Sequence, residues 1–221
     1  FNEFGHIIAS REGGPLVMVH DSKKDGVLDS IRVCCDKVKS AQGILCLNGE
    51  IFVIADGSEG TGLYRLSDPD RDGVYEVVRC LLTYNTTHNE HGPHGLVLGP
   101  NGMIYIIAGN HSAPAVSYAD SSPYQNPYEG DLVTPRYEDP GGHARDVKAP
   151  AGTIIRTDIE GSVVEIVAGG IRNAYDLAFN AEGELFFHDS DMESDLGTPW
   201  YRPTQIFHVP TGADFGWRSG W

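Results

Sequence analysis

Residues 91–110 read HGPHGLVLGPNGMIYIIAGN, which predicts a short apolar strand, a Pro-Asn-Gly turn and a second apolar strand. Asn-Gly supplies the positive φ angles of a tight hairpin, and the flanking runs are branched and aromatic. The same pattern recurs as GILCLNGEIFVIAD at 43–56 and as DLAFNAEGELFFHD at 176–189. The chain is therefore predicted to be built on a repeated hairpin, and His91 and His94 lie just ahead of the central copy.

The spacing of these hairpins predicts a β-propeller. Gly49 and Gly102 are 53 residues apart, whereas Gly102 and Gly183 are 81 apart, and the excess falls in a Tyr-, Pro- and Gly-rich stretch at 112–150. Allowing about 30 residues for that insertion restores a period near 50, typical of four-stranded blades. A further apolar run follows each hairpin, so we predict four-stranded antiparallel blades.

The predicted fold is thus an all-β propeller occupying residues 1–221 as a single domain, with 112–150 as a loop insertion between blades. Three to four blades fit in this length, and propellers normally close with four to eight. The chain is predicted to be an incomplete part of a larger propeller, and an unusually small propeller is the alternative.

Composition narrows the class of function. Net charge is −15, which repels a phosphate backbone and argues against nucleic-acid binding, while acidity suits divalent cations. No apolar run approaches the length that crosses a bilayer, and the spacing of the apolar residues predicts almost no helix.

The four cysteines, Cys34, Cys35, Cys46 and Cys80, form no CxxC motif. Either a disulfide from Cys35 to Cys46 or Cys80, or buried free thiols, is compatible with their spacing.

Two turns resemble the first nine positions of a calcium-binding loop, in which oxygen ligands recur at positions 1, 3, 5 and 9 and glycine occupies position 6. In the turn at 21–29, position 3 is Lys23, so we interpret that turn as acidic but not metal-binding. The turn at 68–76 carries carboxylates at all four positions, with Gly73 at position 6. It predicts a structural Ca²⁺ site, with a solvated acidic turn as the alternative. The proposed ligands are Asp68, Asp70, Asp72 and Glu76.

Three phrases, at 91–102, 169–179 and 189–218, resemble the soluble glucose/aldose (sorbosone) dehydrogenase family, and more closely its planctomycete-type branch of membrane-bound dehydrogenases. The resemblance implies about half of a six-bladed propeller that holds pyrroloquinoline quinone (PQQ) and Ca²⁺. It implies an enzyme that oxidises a sugar or alcohol by hydride transfer to the quinone. It also implies a cytochrome as electron acceptor and a periplasmic or extracytoplasmic location.

The resemblance also assigns residues. Aligning the motif on Leu96 and Gly99 places His91 at the family's catalytic base, with His94 and Gly95 where the family has Gly and Arg. The base therefore stays open between the two histidines. An imidazole can take the substrate's hydroxyl proton because its ordinary pKa is near neutrality. Alternatively, the two rings hydrogen-bond a turn between blades or bind metal.

Cofactor contacts are implied for three further residues. Arg172 and Asn173 match an Arg-Asn pair that contacts the quinone, and a guanidinium binds carboxylate in two-point fashion. Gln42 matches a glutamine that lines the cofactor. The acidic run at 189–195 falls where the family holds its calcium, although Asp191-Met192 replaces a Gly-Pro there. Its predicted metal residues are Asp189, Asp191 and Asp195.

Two other functions stay open from the sequence. A metal-dependent propeller hydrolase of the lactonase type would need three or four convergent ligands and no quinone. A propeller used for binding or assembly would need neither.

Overall fold

The computed structural model describes residues 1–86, 89–130, 146–190 and 204–219. This part of the chain contains β-strands and one 3₁₀ turn, Asn89–His91, and no α-helix. No helix within it is both long and apolar enough to cross a membrane. The chain divides into two compact units, 1–84 and 85–221.

The first unit is one antiparallel sheet in which consecutive strands are neighbours. Alternating buried and exposed positions favour strands here, and glycine, asparagine or aspartate residues end most of them. The strands are β1 (Ile7–Ala9), β2 (Pro15–His20), β3 (Ser30–Leu47), β4 (Glu50–Gly57), β5 (Gly60–Ser67) and β6 (Val77–Thr86), the last of which extends just beyond the unit.

Strand β3 takes part in two hairpins. Its first part pairs with β2 as far as Lys39, which also pairs with Asp56 of β4, and the pairing with β4 continues from Gly43 after a register shift. Ser40 lies at this shift with φ 52° and donates its backbone N–H to the Gly14 carbonyl. Residues 30–47 thus form one strand with an irregularity at Ser40.

The hairpin turns differ between the repeats. Asn48 and Gly49 both have positive φ and join the paired residues Leu47 and Glu50 in a two-residue turn, as predicted. In the central copy, Leu98 pairs with Ile104 across a longer turn, and of Asn101 and Gly102 only the glycine has positive φ. The prediction of a tight Asn-Gly turn is therefore wrong for this copy, in which Asn101 Oδ1 accepts the Met103 N–H instead.

The second unit contains a complete four-stranded antiparallel sheet in the order β11-β10-β8-β7, and a three-stranded sheet in the order β12-β13-β14. Their strands are β7 (Pro93–Leu98), β8 (Ile104–Ala108), β10 (Gly152–Thr157), β11 (Val164–Ile171), β12 (Asp176–Phe179), β13 (Leu185–Asp189) and β14 (Gln205–His208), with a short β9 (Ser112–Pro114) after β8. The four-stranded blade predicted from the sequence is confirmed.

The insertion at 112–150 connects β8 to β10, which are hydrogen-bonded neighbours in one sheet. It therefore lies within a blade, and the expectation that it lies between blades is wrong. The repeat period alone could not distinguish an insertion within a blade from one between blades, because both lengthen the repeat by the same number of residues.

The core of the second unit lies between its two sheets. Tyr105 and Ile107 on β8 face this core, and Phe187 on β13 meets it from the other sheet. Phe215 packs edge-to-face on Phe187, with ring centroids 4.8 Å apart. β12 follows β11 after a short connection. The packing of the two sheets therefore brings the ends of their strands close together.

Candidate active site

His91 lies at the end of the 3₁₀ turn, and only 2% of its surface is exposed. Its Nδ1 lies 2.6 Å from the Asn110 side-chain oxygen. Because an amide oxygen only accepts, this bond assigns the proton to Nδ1 and leaves the lone pair on Nε2. His91 thus has the tautomer that a general base needs.

The backbone after β8 fixes the position of His91. Gly109 donates its N–H to the Gly92 carbonyl at 2.8 Å, and His111 donates its N–H to the His91 carbonyl at 3.2 Å. A Cβ on Gly109 would lie 2.6 Å from the His91 carbonyl oxygen, so only glycine allows this approach. The His111 ring stacks on the His91 ring, with centroids 4.4 Å apart and an interplanar angle of 14°.

His94 has a different environment. Its Nδ1 lies 3.0 Å from the Ala174 carbonyl oxygen, and its ring stacks on Tyr175 at 4.4 Å. Gly95 donates its N–H to the Tyr175 carbonyl, so β7 and the segment before β12 are joined at this point. Burial lowers the pKa of His94. His94 therefore holds two neighbouring strands of the second unit together.

Arg172 and Asn173 form a turn directly after β11, and a carboxylate holds this turn in place. Asp189, at the end of β13, accepts the Arg172 N–H and the Asn173 N–H, each at 2.8 Å and each on a different oxygen. Arg172 is 3% exposed, and its Nη1 donates to Ser190 Oγ at 3.1 Å. The Arg172 carbonyl accepts the Asn110 N–H at 2.8 Å. The ends of β8, β11 and β13 thus form one hydrogen-bonded group.

Asp189 is 6% exposed, and this burial raises the pKa of its carboxyl group. The two backbone bonds and the Arg172 charge act in the opposite direction, because they favour the ionised form. The two N–H groups occupy one acceptor position on each oxygen. Asp189 therefore orients the Arg172-Asn173 turn, and its predicted metal role stays a prediction. Asp191 and Asp195 lie outside the described residues.

Gln42 belongs to the first unit, is exposed and lies on β3, where its Nε2 donates to the Ser40 carbonyl at 3.5 Å. His91, Arg172, Asn173 and Asp189 all belong to the second unit. The cofactor contact assigned to Gln42 stays a prediction.

The turn at 68–76 brings together three of its four predicted ligands. Carboxylate oxygens of Asp68, Asp70 and Glu76 lie within 4.8 Å of one another. Asp68 is half-buried and the other two are exposed. The Asp72 carboxylate lies outside this group, and its Oδ1 accepts the Val74 N–H at 2.7 Å.

The other acidic turn, at 21–29, contains its own cation. Lys23 Nζ lies 2.9 Å from Asp29 Oδ2, and Asp21 accepts the Gly26 N–H at 2.7 Å. The ion pair with Lys23 lowers the pKa of Asp29 to about 2.

Sequence reasoning missed Asn110 and His111. Asn110 is the second residue after β8, and a polar pair close to a strand end in a repeated hairpin was the available signal. Their contact with His91 depends on a turn whose path the sequence pattern does not define.

Comparison with known proteins supports the fold. A family model described as a domain of unknown function (DUF7133) matches residues 5–197. No protein of curated function matches the chain. Among solved structures, a protein from Thermus thermophilus assigned as an oxidoreductase (glucose dehydrogenase) aligns over 98% of this chain with a TM-score of 0.66 and 18% identity.

Two PQQ-containing structures are also similar. The PQQ-bound aldose sugar dehydrogenase of Streptomyces coelicolor aligns over 97% of this chain, with a TM-score of 0.60 and 13% identity. The holo form of the pyranose dehydrogenase PQQ domain of Coprinopsis cinerea aligns over 96%, with a TM-score of 0.60 and 11% identity. This chain spans 62% of the Thermus protein, 60% of the Streptomyces protein and 50% of the Coprinopsis domain. The predicted all-β propeller, present in part, is thereby confirmed.

Proposed function

The chain belongs to the family described as a domain of unknown function (DUF7133), and from its site we propose that it is part of a quinone-dependent dehydrogenase that oxidises a sugar or an alcohol. The observation that carries this proposal is the His91–Asn110 pair. It holds a buried imidazole with its proton on Nδ1, so that Nε2 can accept a proton from a substrate hydroxyl group.

His91 rather than His94 is the base in this proposal. His94 donates to a backbone carbonyl and stacks on Tyr175, which is the environment of a residue that joins two strands. His91 is held by the side chain of Asn110, by a ring stacked on its face and by backbone bonds on both sides. Such support keeps a base in one orientation, which lowers the reorganisation that proton transfer requires.

The donor chemistry of the site fits PQQ. Arg172 is buried, so its guanidinium can bind a carboxylate with little competition from water. Asn110 Nδ2 and Asn173 Oδ1 are buried polar atoms without a hydrogen-bond partner among the described residues. A bound group with both acceptors and donors would satisfy them. When bound, PQQ supplies the acceptor for the hydride that leaves the substrate carbon.

Within this site, the residues of the chain bind, orient and move one proton. Arg172 and Asn173 are its proposed cofactor contacts, and Asp189 keeps the Arg172-Asn173 turn in position through two backbone bonds. Gln42, in the first unit, is proposed as a further cofactor contact on the resemblance alone. His91 Nε2 takes the hydroxyl proton as the substrate is oxidised. Asp189, Asp191 and Asp195 are the proposed calcium residues beside the cofactor. Asp68, Asp70 and Glu76 are those of a separate structural calcium.

We also propose that the protein belongs to the planctomycete-type branch. Its proposed electron acceptor is a cytochrome, and its proposed location is periplasmic or extracytoplasmic. Solved structures with PQQ and a similar fold support the cofactor. The Trichoderma reesei structures of carbohydrate-active family AA12, one of them described as a calcium structure, support the metal.

A propeller hydrolase of the lactonase type is a second candidate, and it requires several ligands that converge on one ion. Among the described residues, one group of three His, Cys, Asp or Glu side chains lies close enough to share an ion. It consists of Asp68, Asp70 and Glu76, on a largely exposed turn. Within that same part of the chain, His91 and His94 join no such group. This geometry favours a dehydrogenase over a hydrolase. A binding propeller is the outcome if neither activity is found.

Reconstitution of the full-length protein with PQQ and Ca²⁺ tests the proposal. Quinone binding is measured by fluorescence quenching, and dye reduction is followed with a panel of aldoses and alcohols. We expect His91→Gln to lower kcat about 10²- to 10⁴-fold, the usual contribution of a general base, with PQQ affinity unchanged. The matched variant His94→Gln should lower kcat less than about tenfold, because its ring only joins two strands.

Three outcomes would contradict this assignment. Absence of quinone binding by the full-length protein would remove the dehydrogenase, and hydrolysis of a lactone without quinone would favour the second candidate. A larger loss in His94→Gln than in His91→Gln would exchange the roles of the two histidines.

A further inference from the structure

His6 and His20 face each other across the first hairpin of the chain. Strands β1 and β2 are antiparallel, with Ile7 opposite Val19. Continuing this register by one residue places His6 opposite His20. Their rings lie 5.8 Å apart between centroids, at an interplanar angle of 64°.

Each of these rings has an unsatisfied nitrogen. Both residues are half-buried, whereas the Nδ1 atom of each is inaccessible to solvent and has no hydrogen-bond partner among the described residues. Buried polar atoms are nearly always paired, and exceptions often mark an ion or a water molecule. Two such nitrogens on opposed strands indicate one ligand that serves both.

A neutral imidazole whose proton is on Nε2 presents a lone pair at Nδ1, and one metal ion satisfies two such lone pairs at once. Neutral imidazole is a good ligand for Zn²⁺, Ni²⁺ and Cu²⁺. Two imidazoles that bind one ion at about 2.0–2.1 Å have ring centres roughly 5 to 6 Å apart, and the observed 5.8 Å lies in this range. Small rotations of the two rings would therefore suffice.

The surroundings keep His6 in the form that binds metal. Burial lowers the pKa of His6, and so do the nearby charges of His20 and Arg32. His6 is consequently neutral near pH 7, as a metal ligand must be. The Arg32 guanidinium donates from Nη2 to the Asp72 carbonyl at 2.8 Å, a bond that holds it toward the acidic turn.

We propose that His6 and His20 together bind one divalent transition-metal ion, of the class of Zn²⁺, Ni²⁺ or Cu²⁺, which links β1 to β2. No third His, Cys, Asp or Glu side chain joins the pair among the described residues. Water completes the coordination once the rings have rotated, because both Nδ1 atoms are inaccessible to solvent in this arrangement. Because β1 has only three residues, the ion is an additional link that holds this edge strand in the sheet.

The site is independent of the proposed dehydrogenase, and it is tested on the whole chain by titration calorimetry with Zn²⁺. The buffer contains millimolar Ca²⁺ to saturate the carboxylate turn at 68–76. We expect one Zn²⁺ per chain, a rise in Tm with Zn²⁺, and a loss of affinity of about tenfold or more in His6→Gln and in His20→Gln. His188→Gln, which removes a single exposed histidine on β13, is the matched control and should bind as the parent does.

Imidazole NMR signals provide a second readout that does not depend on stability. Ni²⁺ or Cu²⁺ at substoichiometric amounts should broaden the signals of His6 and His20 before those of any other histidine. Unperturbed His6 and His20 signals, or unchanged Zn²⁺ affinity in the two variants, would overturn the proposal and leave a bridging water as the shared ligand.

Discussion

Two histidines of one short motif, His91 and His94, differ in the group that each ring nitrogen contacts. Both are at most 3% exposed, so burial does not distinguish them. The hydrogen-bond partner of each ring distinguishes them. His91 contacts the side chain of Asn110, which a substitution can change, whereas His94 contacts the backbone carbonyl of Ala174. This difference separates a residue that can serve chemistry from one that holds the fold.

The Asn110 side chain is the hydrogen-bond partner of His91 Nδ1. Replacing it by a carboxylate, in Asn110→Asp, places a negative charge at the position of an oxygen now 2.6 Å from Nδ1. We expect the pKa of His91 to rise by about one unit or more, because a nearby opposite charge stabilises the imidazolium. An NMR titration of the His91 imidazole measures this shift. An unchanged pKa would show that the hydrogen bond is not maintained in solution.

His94 should make stability depend on pH. Burial lowers its pKa below the unfolded value of 6.5, so the unfolded state binds the proton more readily. The free energy of unfolding should therefore fall as the pH decreases from 6.5 to the folded pKa. Urea denaturation between about pH 7 and pH 5 measures this slope, and His94→Gln should make it shallower. An equally steep slope in the variant would assign the effect to other groups, of which His6 is one.

Glycines at strand ends decide how closely the elements of the site approach. Gly95 occupies the position at which the dehydrogenase motif has arginine, and a Cβ there would lie 2.6 Å from Asp176 Oδ1 and 3.0 Å from the Tyr175 carbonyl oxygen. Any larger side chain would separate β7 from the segment before β12. The departure from the motif thus has a steric reason, and Arg172 remains as a buried cation of the site.

Gly109→Ala should displace His91. The added Cβ would meet three backbone atoms of His91, at 2.6, 2.8 and 2.9 Å, and backbone cannot rotate away as a side chain can. We expect a destabilisation of about 1–3 kcal/mol and a shift of the His91 imidazole signals. Gly26→Ala is the control, since its Cβ meets nothing and only its positive φ is unfavourable. Unshifted His91 signals in Gly109→Ala would contradict the close contact.

The acidic turn between β5 and β6 should bind Ca²⁺ through three of its four carboxylates. Asp68, Asp70 and Glu76 converge, and their mutual repulsion is relieved by a cation. Asp68→Asn or Asp70→Asn should weaken Ca²⁺ binding by about tenfold or more in a calorimetric titration, because each removes a ligand charge. Asp72→Asn should change it little, because the Asp72 carboxylate lies outside the group of three. Equal losses in all three variants would restore Asp72 as a ligand.

At the scale of the molecule, the four cysteines report on the integrity of the first unit. All four are free thiols in that unit. Burial raises the pKa of Cys34 to about 12 and also raises those of Cys35, Cys46 and Cys80. Because the thiolate is the reactive form, we expect slow reaction with a thiol reagent in the native protein and rapid reaction of all four thiols in denaturant. Rapid labelling of the native protein would contradict this burial.

Periodicity was sufficient to predict most of the fold. The repeated hairpin with a further strand predicted the four-stranded blade, because apolar alternation and turn residues act locally. The same reasoning failed for the insertion at 112–150, whose position within the blade depends on β8 pairing with β10. Nor does the sequence pattern show that one strand, β3, continues past Ser40 through two hairpins.

By itself, the sequence determined the all-β class, the blade repeat and the residue types at the site, since these follow from local periodicity and motif. Only the tertiary structure decided which histidine has a side-chain partner, that Asn110 is that partner, and that Asp189 holds the Arg172-Asn173 turn. Those contacts join the ends of β8, β11 and β13, which are far apart along the chain. Sheet packing brings them together, and no local pattern encodes that distance.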